Sequence, residues 1–94
     1  MECIYVVKCY YWEKNHQLLM VDDMLAYKTE KEGQDYLDRL IEKHKMGKLW
    51  EKPTELVSDI RREKFNELRL RSVNFLHQSG GRTSYVLDEL LLIN

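Results

Sequence analysis

The sequence predicts an α+β fold: a four-stranded antiparallel sheet of two hairpins with one or two helices packed on one face, in the order ββααββ. Three observations carry this. "CIYVVKCYYW" (residues 3–12) is an apolar run with one charge. "TEKE" at residues 29–32 opens a segment of helical periodicity. "SGGR" at residues 79–82 divides a further pair of apolar segments.

The first hairpin spans residues 3–28 and turns at "KNHQ", where Asn15 tolerates the left-handed conformation. Pairing about that turn puts Lys8 opposite Asp23 and Trp12 opposite Leu19, which accounts for the lone charge in the opening strand. Successive strand side chains point to opposite faces. One face of this strand carries Cys3, Tyr5, Val7, Cys9 and Tyr11. The other carries Ile4, Val6, Lys8, Tyr10 and Trp12. Both are apolar, so both need cover.

Thr29 and Glu32 form a capping box. Behind them Gly33, Tyr36, Leu37, Leu40, Ile41 and His44 fall on one stripe at 3–4 residue spacing, and Gly47 sits where a C′ glycine ends a helix. A helix over 30–46 follows, with Gly33 on the apolar stripe implying close approach to the sheet. Pro53 suits a first helical position, with Leu56, Val57 and Ile60 as a short stripe, and a second helix is expected over about 53–64. "NELRLRSVNFLHQSGGRTSYVLDELLLIN" reads as a hairpin over 67–93 turning at Gly80-Gly81, with a C-terminal helix over 85–93 as the rival reading. Helices on one side leave the other side of such a sheet open. It needs a second layer, a curled sheet or another protein.

Ninety-four residues suit a single domain, 1–94, and the 44% apolar content supports a folded core. Charges make up 33% and nearly cancel, at −1, so no global pull toward nucleic acid or anionic membrane exists. The balance is local: residues 1–38 hold four basic and eight acidic side chains, and residues 39–71 hold ten basic and six acidic. Cys3 and Cys9 lie roughly 20 Å apart along one strand, beyond disulfide reach, and are expected as reduced thiols. Neither a leader pattern nor an apolar run of about 20 residues is present, so a cytoplasmic location is expected.

No motif for catalysis, metal or cofactor emerges. His16, His44 and His77 lack the paired spacing of zinc ligands. Asp22 and Asp23 point to opposite faces of a strand. Cys9 on an apolar strand has a raised thiol pKa. "SGGR" is explained by a hairpin turn as well as by an anion cradle. No nucleotide-binding or nucleophile-elbow pattern occurs. The expectation is therefore a non-enzymatic protein-binding module acting stoichiometrically. An inhibitor or adaptor of the kind encoded by phages or mobile elements has this character. Its partner is another protein or a second copy in a homodimer, with no membrane and no small-molecule substrate. Aromatic residues enriched at interfaces nominate Tyr5, Tyr10, Tyr11 and Trp12. The alternative is nucleic acid, held by a basic patch of Arg61, Arg62, Lys64, Arg69 and Arg71, with aromatics of the first hairpin stacking on bases.

Overall fold

A computed structural model describes residues 2–15, 17–50, 52–61 and 68–92. Five strands form one antiparallel sheet: β1 (Glu2–Trp12), β2 (Leu18–Tyr27), β3 (Thr54–Arg61), β4 (Arg69–His77) and β5 (Arg82–Leu92). Their spatial order is β2-β1-β5-β4-β3. One helix, α1 (Glu30–Lys45), follows β2. The α+β class is as predicted, while the sheet has five strands rather than four. The second helix expected over 53–64 is an edge strand across 54–61, and residues 62–64 lie outside the described residues.

The β1–β2 hairpin keeps the predicted register only in its middle, where Cys9, Tyr10 and Tyr11 pair with Asp22, Val21 and Met20. Val7 pairs with Leu25, so Asp23 and Met24 together oppose Lys8, and Trp12 pairs with Leu18 rather than Leu19. Such a bulge adds one residue to one strand and sharpens the local twist. At the turn the Asn15 side chain accepts from the Gln17 amide at 3.1 Å.

Helix α1 begins and ends as its sequence directs. Thr29 Oγ1 accepts from the Glu32 amide at 3.3 Å and donates to Glu32 Oε1 at 2.9 Å. At the far end the amides of Gly47 and Lys48 donate to the carbonyls of His44 and Lys43, with Gly47 at φ 69°. This is the double bond pattern of a Schellman cap. The stripe of Gly33, Leu37, Leu40 and Ile41 is buried against the sheet, and Tyr36 packs beside it. A Cβ built on Gly33 would lie 2.5 Å from Leu87 Cδ1, so helix and sheet approach there as closely as glycine allows.

The second hairpin corrects the predicted register by three residues. The loop is Gln78-Ser79-Gly80 rather than a two-residue Gly80-Gly81 turn. The His77 amide donates to the Gly81 carbonyl, the Gly80 amide donates to the His77 carbonyl, and Gly80 carries φ 92°. An odd slip exchanges the faces of one strand relative to the other. Val73 therefore pairs with Tyr85, and Phe75 with Thr83. A bulge at Leu70, between Arg69↔Asp88 and Arg71↔Leu87, turns both Leu70 and Arg71 into the core. The rival helix over 85–93 is excluded, because β5 runs extended to Leu92.

The core lies between α1 and one face of the sheet: Val7, Leu37, Leu40, Ile41, Leu70, Val73, Phe75 and Leu87. Within it sits Arg71, whose side chain is 0% exposed. Its guanidinium grips Asp59 in a bidentate pair, Nε to Oδ1 and Nη2 to Oδ2, both at 2.7 Å. Nη1 donates to Asp38 Oδ1 at 2.8 Å and to Gln34 Oε1 at 3.1 Å. One buried cation thus ties edge strand β3 and helix α1 to β4.

Candidate binding face

β1 and β5 pair without a shift from Glu2↔Leu92 to Trp12↔Arg82. This long ladder fixes which side chains share a face. Tyr5, Val7, Cys9 and Tyr11 of β1 lie on the α1 side with Tyr85 and Leu87 of β5. Ile4, Val6, Lys8, Tyr10 and Trp12 lie on the other side, beside Leu90, Asp88, Val86, Ser84 and Arg82. β4 adds Ser72, Asn74 and Leu76 to that side, and β3 adds Ser58 and Ile60. Among the described residues no element is layered over this second face.

The face has two characters. Toward the end where β5 finishes, Leu90 and Leu92 are exposed beyond buried Val6, while Val86 is buried in the middle of the face in the row of Lys8 and Ser72, with exposed Ile60 two strands away on β3. Toward the hairpin turns it becomes aromatic, basic and polar. Tyr10 stacks along the strand on Trp12, with ring centroids 6.3 Å apart and planes 23° apart. The Arg82 guanidinium lies over the Trp12 ring, 5.5 Å from its centroid. Ser84 Oγ donates to Asn74 Oδ1 at 2.5 Å, and Asn74 Nδ2 donates to Ser58 Oγ at 2.7 Å, a polar row across three strands. Between the halves Asp88 lies 3.8 Å from Arg69, and burial pushes its carboxyl above the ordinary carboxylate range, against the pull of Arg69 and Lys8.

Of the four aromatic candidates, the fold brings together two. Tyr10 and Trp12 share the open face. Tyr5 packs against the core, and Tyr11 shares its side of the strand. The expected basic patch does not assemble among the described residues. Arg71 is enclosed and fully paired, so no phosphate reaches it. Arg61 is on edge strand β3, paired at 2.6 Å with Asp38. Arg69 stands apart from both on the open face, and Arg62 and Lys64 lie outside the described residues. Sequence reasoning missed the grouping of Arg82 with Ser72, Asn74 and Ser84. Its one visible trace was the arginine of "SGGR".

His44 and His77 are held by hydrogen bonds within the fold. His44 Nε2 donates to the Thr54 carbonyl at 2.9 Å. His77 Nε2 lies 2.6 Å from Thr83 Oγ1, and burial lowers its pKa. His16 lies outside the described residues. Cys9 is buried, and neither Cys3 nor Cys9 is in a disulfide. The backbone amides of Gly80 and Gly81 are spent within the turn, on the His77 carbonyl and Ser79 Oγ. Among the described residues no group of three or more His, Cys, Asp or Glu side chains is placed to hold a metal ion, and no helix is long and apolar enough to cross a membrane. No protein-family model, curated protein or solved structure matches this chain, so the functional reading rests on its own geometry.

Proposed function

We propose that this chain is a non-enzymatic binding module of the cytoplasm that acts stoichiometrically by docking another protein on the open face of its sheet. The observation that carries the reading is the layering. α1 covers one face, while the opposite face has no described element above it and carries buried Val6 and Val86 with exposed Leu90, Leu92 and Ile60 set among Lys8, Arg69, Ser72 and Asp88. An uncovered sheet face that carries exposed apolar side chains suits an interaction surface. A standard interface buries about 800 Å² on each side, a scale a five-stranded sheet face can supply.

Two tests check this. Light scattering across a dilution series separates a face-to-face homodimer from a monomer that serves a different protein. Affinity capture after nuclease treatment then compares wild type with the pair Leu90→Asp and Ile60→Asp, which alters only exposed positions. A dimer, or a retained protein, that the pair abolishes while the circular dichroism spectrum is kept supports the reading. A monomer whose captured proteins are unchanged by the pair refutes it.

A further inference from the structure

The hairpin end of the open face holds an aromatic and basic cluster that meets the docking face at Val86. A cavity of about 320 Å³ is lined by Tyr10, Trp12, Arg69, Asn74, Arg82 and Ser72, among others. A larger one of about 790 Å³ opens on the other side of the same Trp12–Arg82 pair and is lined also by Lys14 and His77. Two arginines and a lysine therefore flank two stacked aromatic rings along one track, with the Glu13 carboxylate on the wall beside Lys14 and Asp88 beside Arg69. Two donors in this wall, Trp12 Nε1 and Arg82 Nε, are buried without a hydrogen-bond partner. An unsatisfied buried donor costs free energy, and such groups in a native fold call for an explanation. Trp12 and Arg82 line both cavities.

We propose that this cluster binds a nucleotide unit, its base on the Tyr10–Trp12 platform and its phosphate on Arg82 and Arg69. The chemistry is that of stacking on aromatic faces combined with guanidinium–phosphate pairing. The Asn74 amide and the hydroxyls of Ser72 and Ser84 line the floor and suit the polar edge of a base. The Ser58–Asn74–Ser84 bonds hold that floor in place before any ligand arrives. Duplex DNA presents its bases edge-on and stacked on each other, so the platform favours single strands. A single strand and a free mononucleotide share this chemistry, and the experiment distinguishes them. Leu90 and Leu92 lie outside this cluster, so docking at that end and nucleotide binding here are separable.

The experiment is fluorescence anisotropy of a labelled single-stranded oligothymidylate of about 15 nucleotides, with unlabelled thymidine monophosphate and a duplex as competitors. Wild type is expected to bind the single strand, with affinity falling by about 1.5–2 log units per tenfold rise in salt, as two to three phosphate contacts at ~0.7 each require. Tyr10→Leu and Arg82→Gln should each weaken binding about ten-fold, and Leu90→Asp should not. Competition by the mononucleotide at equal concentration of nucleotide units assigns the source as free nucleotide; competition only by single strand assigns a strand. In a Trp50→Phe background Trp12 is the sole tryptophan, and its emission should be quenched on binding. Absence of binding, preference for duplex, or binding unchanged in well-folded Tyr10→Leu and Arg82→Gln overturns the proposal. Loss of protein capture in Leu90→Asp with oligonucleotide binding intact separates failure of one reading from failure of the other.

Discussion

Replacing Asp59 with asparagine should cost this fold about 3 kcal/mol, more than replacing Arg71, the residue it serves. The reason is what each change leaves behind. Asp59 takes two of the guanidinium's bonds, both at 2.7 Å. Asparagine offers one acceptor oxygen in that place and turns an amide NH₂ against the guanidinium. The stranded charge belongs to a side chain with no exposure, which cannot turn to water. Breaking a buried pair by removing one partner costs about 3–5 kcal/mol, and the remaining bond to Asp38 places this case at the lower end. Arg71→Met leaves instead two carboxylates, on Asp59 and Asp38, whose side chains are 26% and 46% exposed and able to hydrate. Its cost should be about 1–2 kcal/mol. Urea denaturation followed by circular dichroism reads both values, and in thermal melts 3 kcal/mol corresponds to roughly 15 °C for a domain of this size. Acid adds a second signature. The hydrogen bonds from Arg71 hold the Asp59 carboxyl below its ordinary range, outweighing the opposing effect of burial. A depressed carboxylate contributes stability above its unfolded pKa, and that stability is lost as pH falls through the folded value. Wild type should lose stability below pH about 4, and Asp59→Asn should lose less over the same interval. An Asp59→Asn variant within 1 kcal/mol of wild type, or less damaged than Arg71→Met, would refute the reasoning.

Two further outcomes follow from contacts already described. Gly33→Ala should destabilise by about 1 kcal/mol, because overpacking against Leu87 exceeds the helix-propensity gain, and Leu87→Val should relieve most of that cost in a double-mutant cycle; strict additivity of the two changes would contradict the close approach. Asp88→Asn should raise stability at pH 7 by roughly 0.5 kcal/mol, most of the burial penalty being offset by Arg69 and solvent screening. Because the Asp88 carboxyl is pushed up, its protonated form is favoured on folding, so the gain should fade as pH falls below the folded pKa, and a loss of stability at pH 7 would show that Arg69 and Lys8 outweigh burial.

What the sequence disclosed depended on whether its period survived intact. α1 was legible to within a residue, since Thr29, the Gly33–Ile41 stripe and Gly47 state its start, face and stop. β3 was hidden by its bulge. Val57 is the extra residue between Leu56↔Phe75 and Ser58↔Asn74, and it resets the two-residue alternation so that Leu56, Val57 and Ile60 mimic a helical stripe. The second hairpin was recognisable by its glycines, but both Gly80 and Gly81 were compatible with the turn. Only Gly80 takes a positive φ, and the resulting three-residue shift exchanged the cross-strand partners of Val73 and Phe75. The candidate site inherited that error. Arg82 could not be grouped with Trp12 until the β1–β5 register was known, and Arg71 read as surface charge because nothing local signals that Asp59 and Asp38 converge on it.

The ladder that unites β1 with β5 also governs the order in which this sheet can be completed. Its partners are separated by most of the chain, so closing it carries a loop-entropy cost that neither hairpin faces alone. On a ribosome the β1–β2 ribbon and α1 emerge long before β5 exists, and one long edge of β1 must wait with its amides and carbonyls unpaired. That edge bears Tyr and Trp beside Val and Ile, a composition prone to pairing with a neighbouring chain. Lys8, set near its middle, is the one charge that interrupts it. The strand that defines the binding face is therefore also the point at which a nascent chain is most exposed to misassembly, and production at low temperature or low synthesis rate should favour the soluble product.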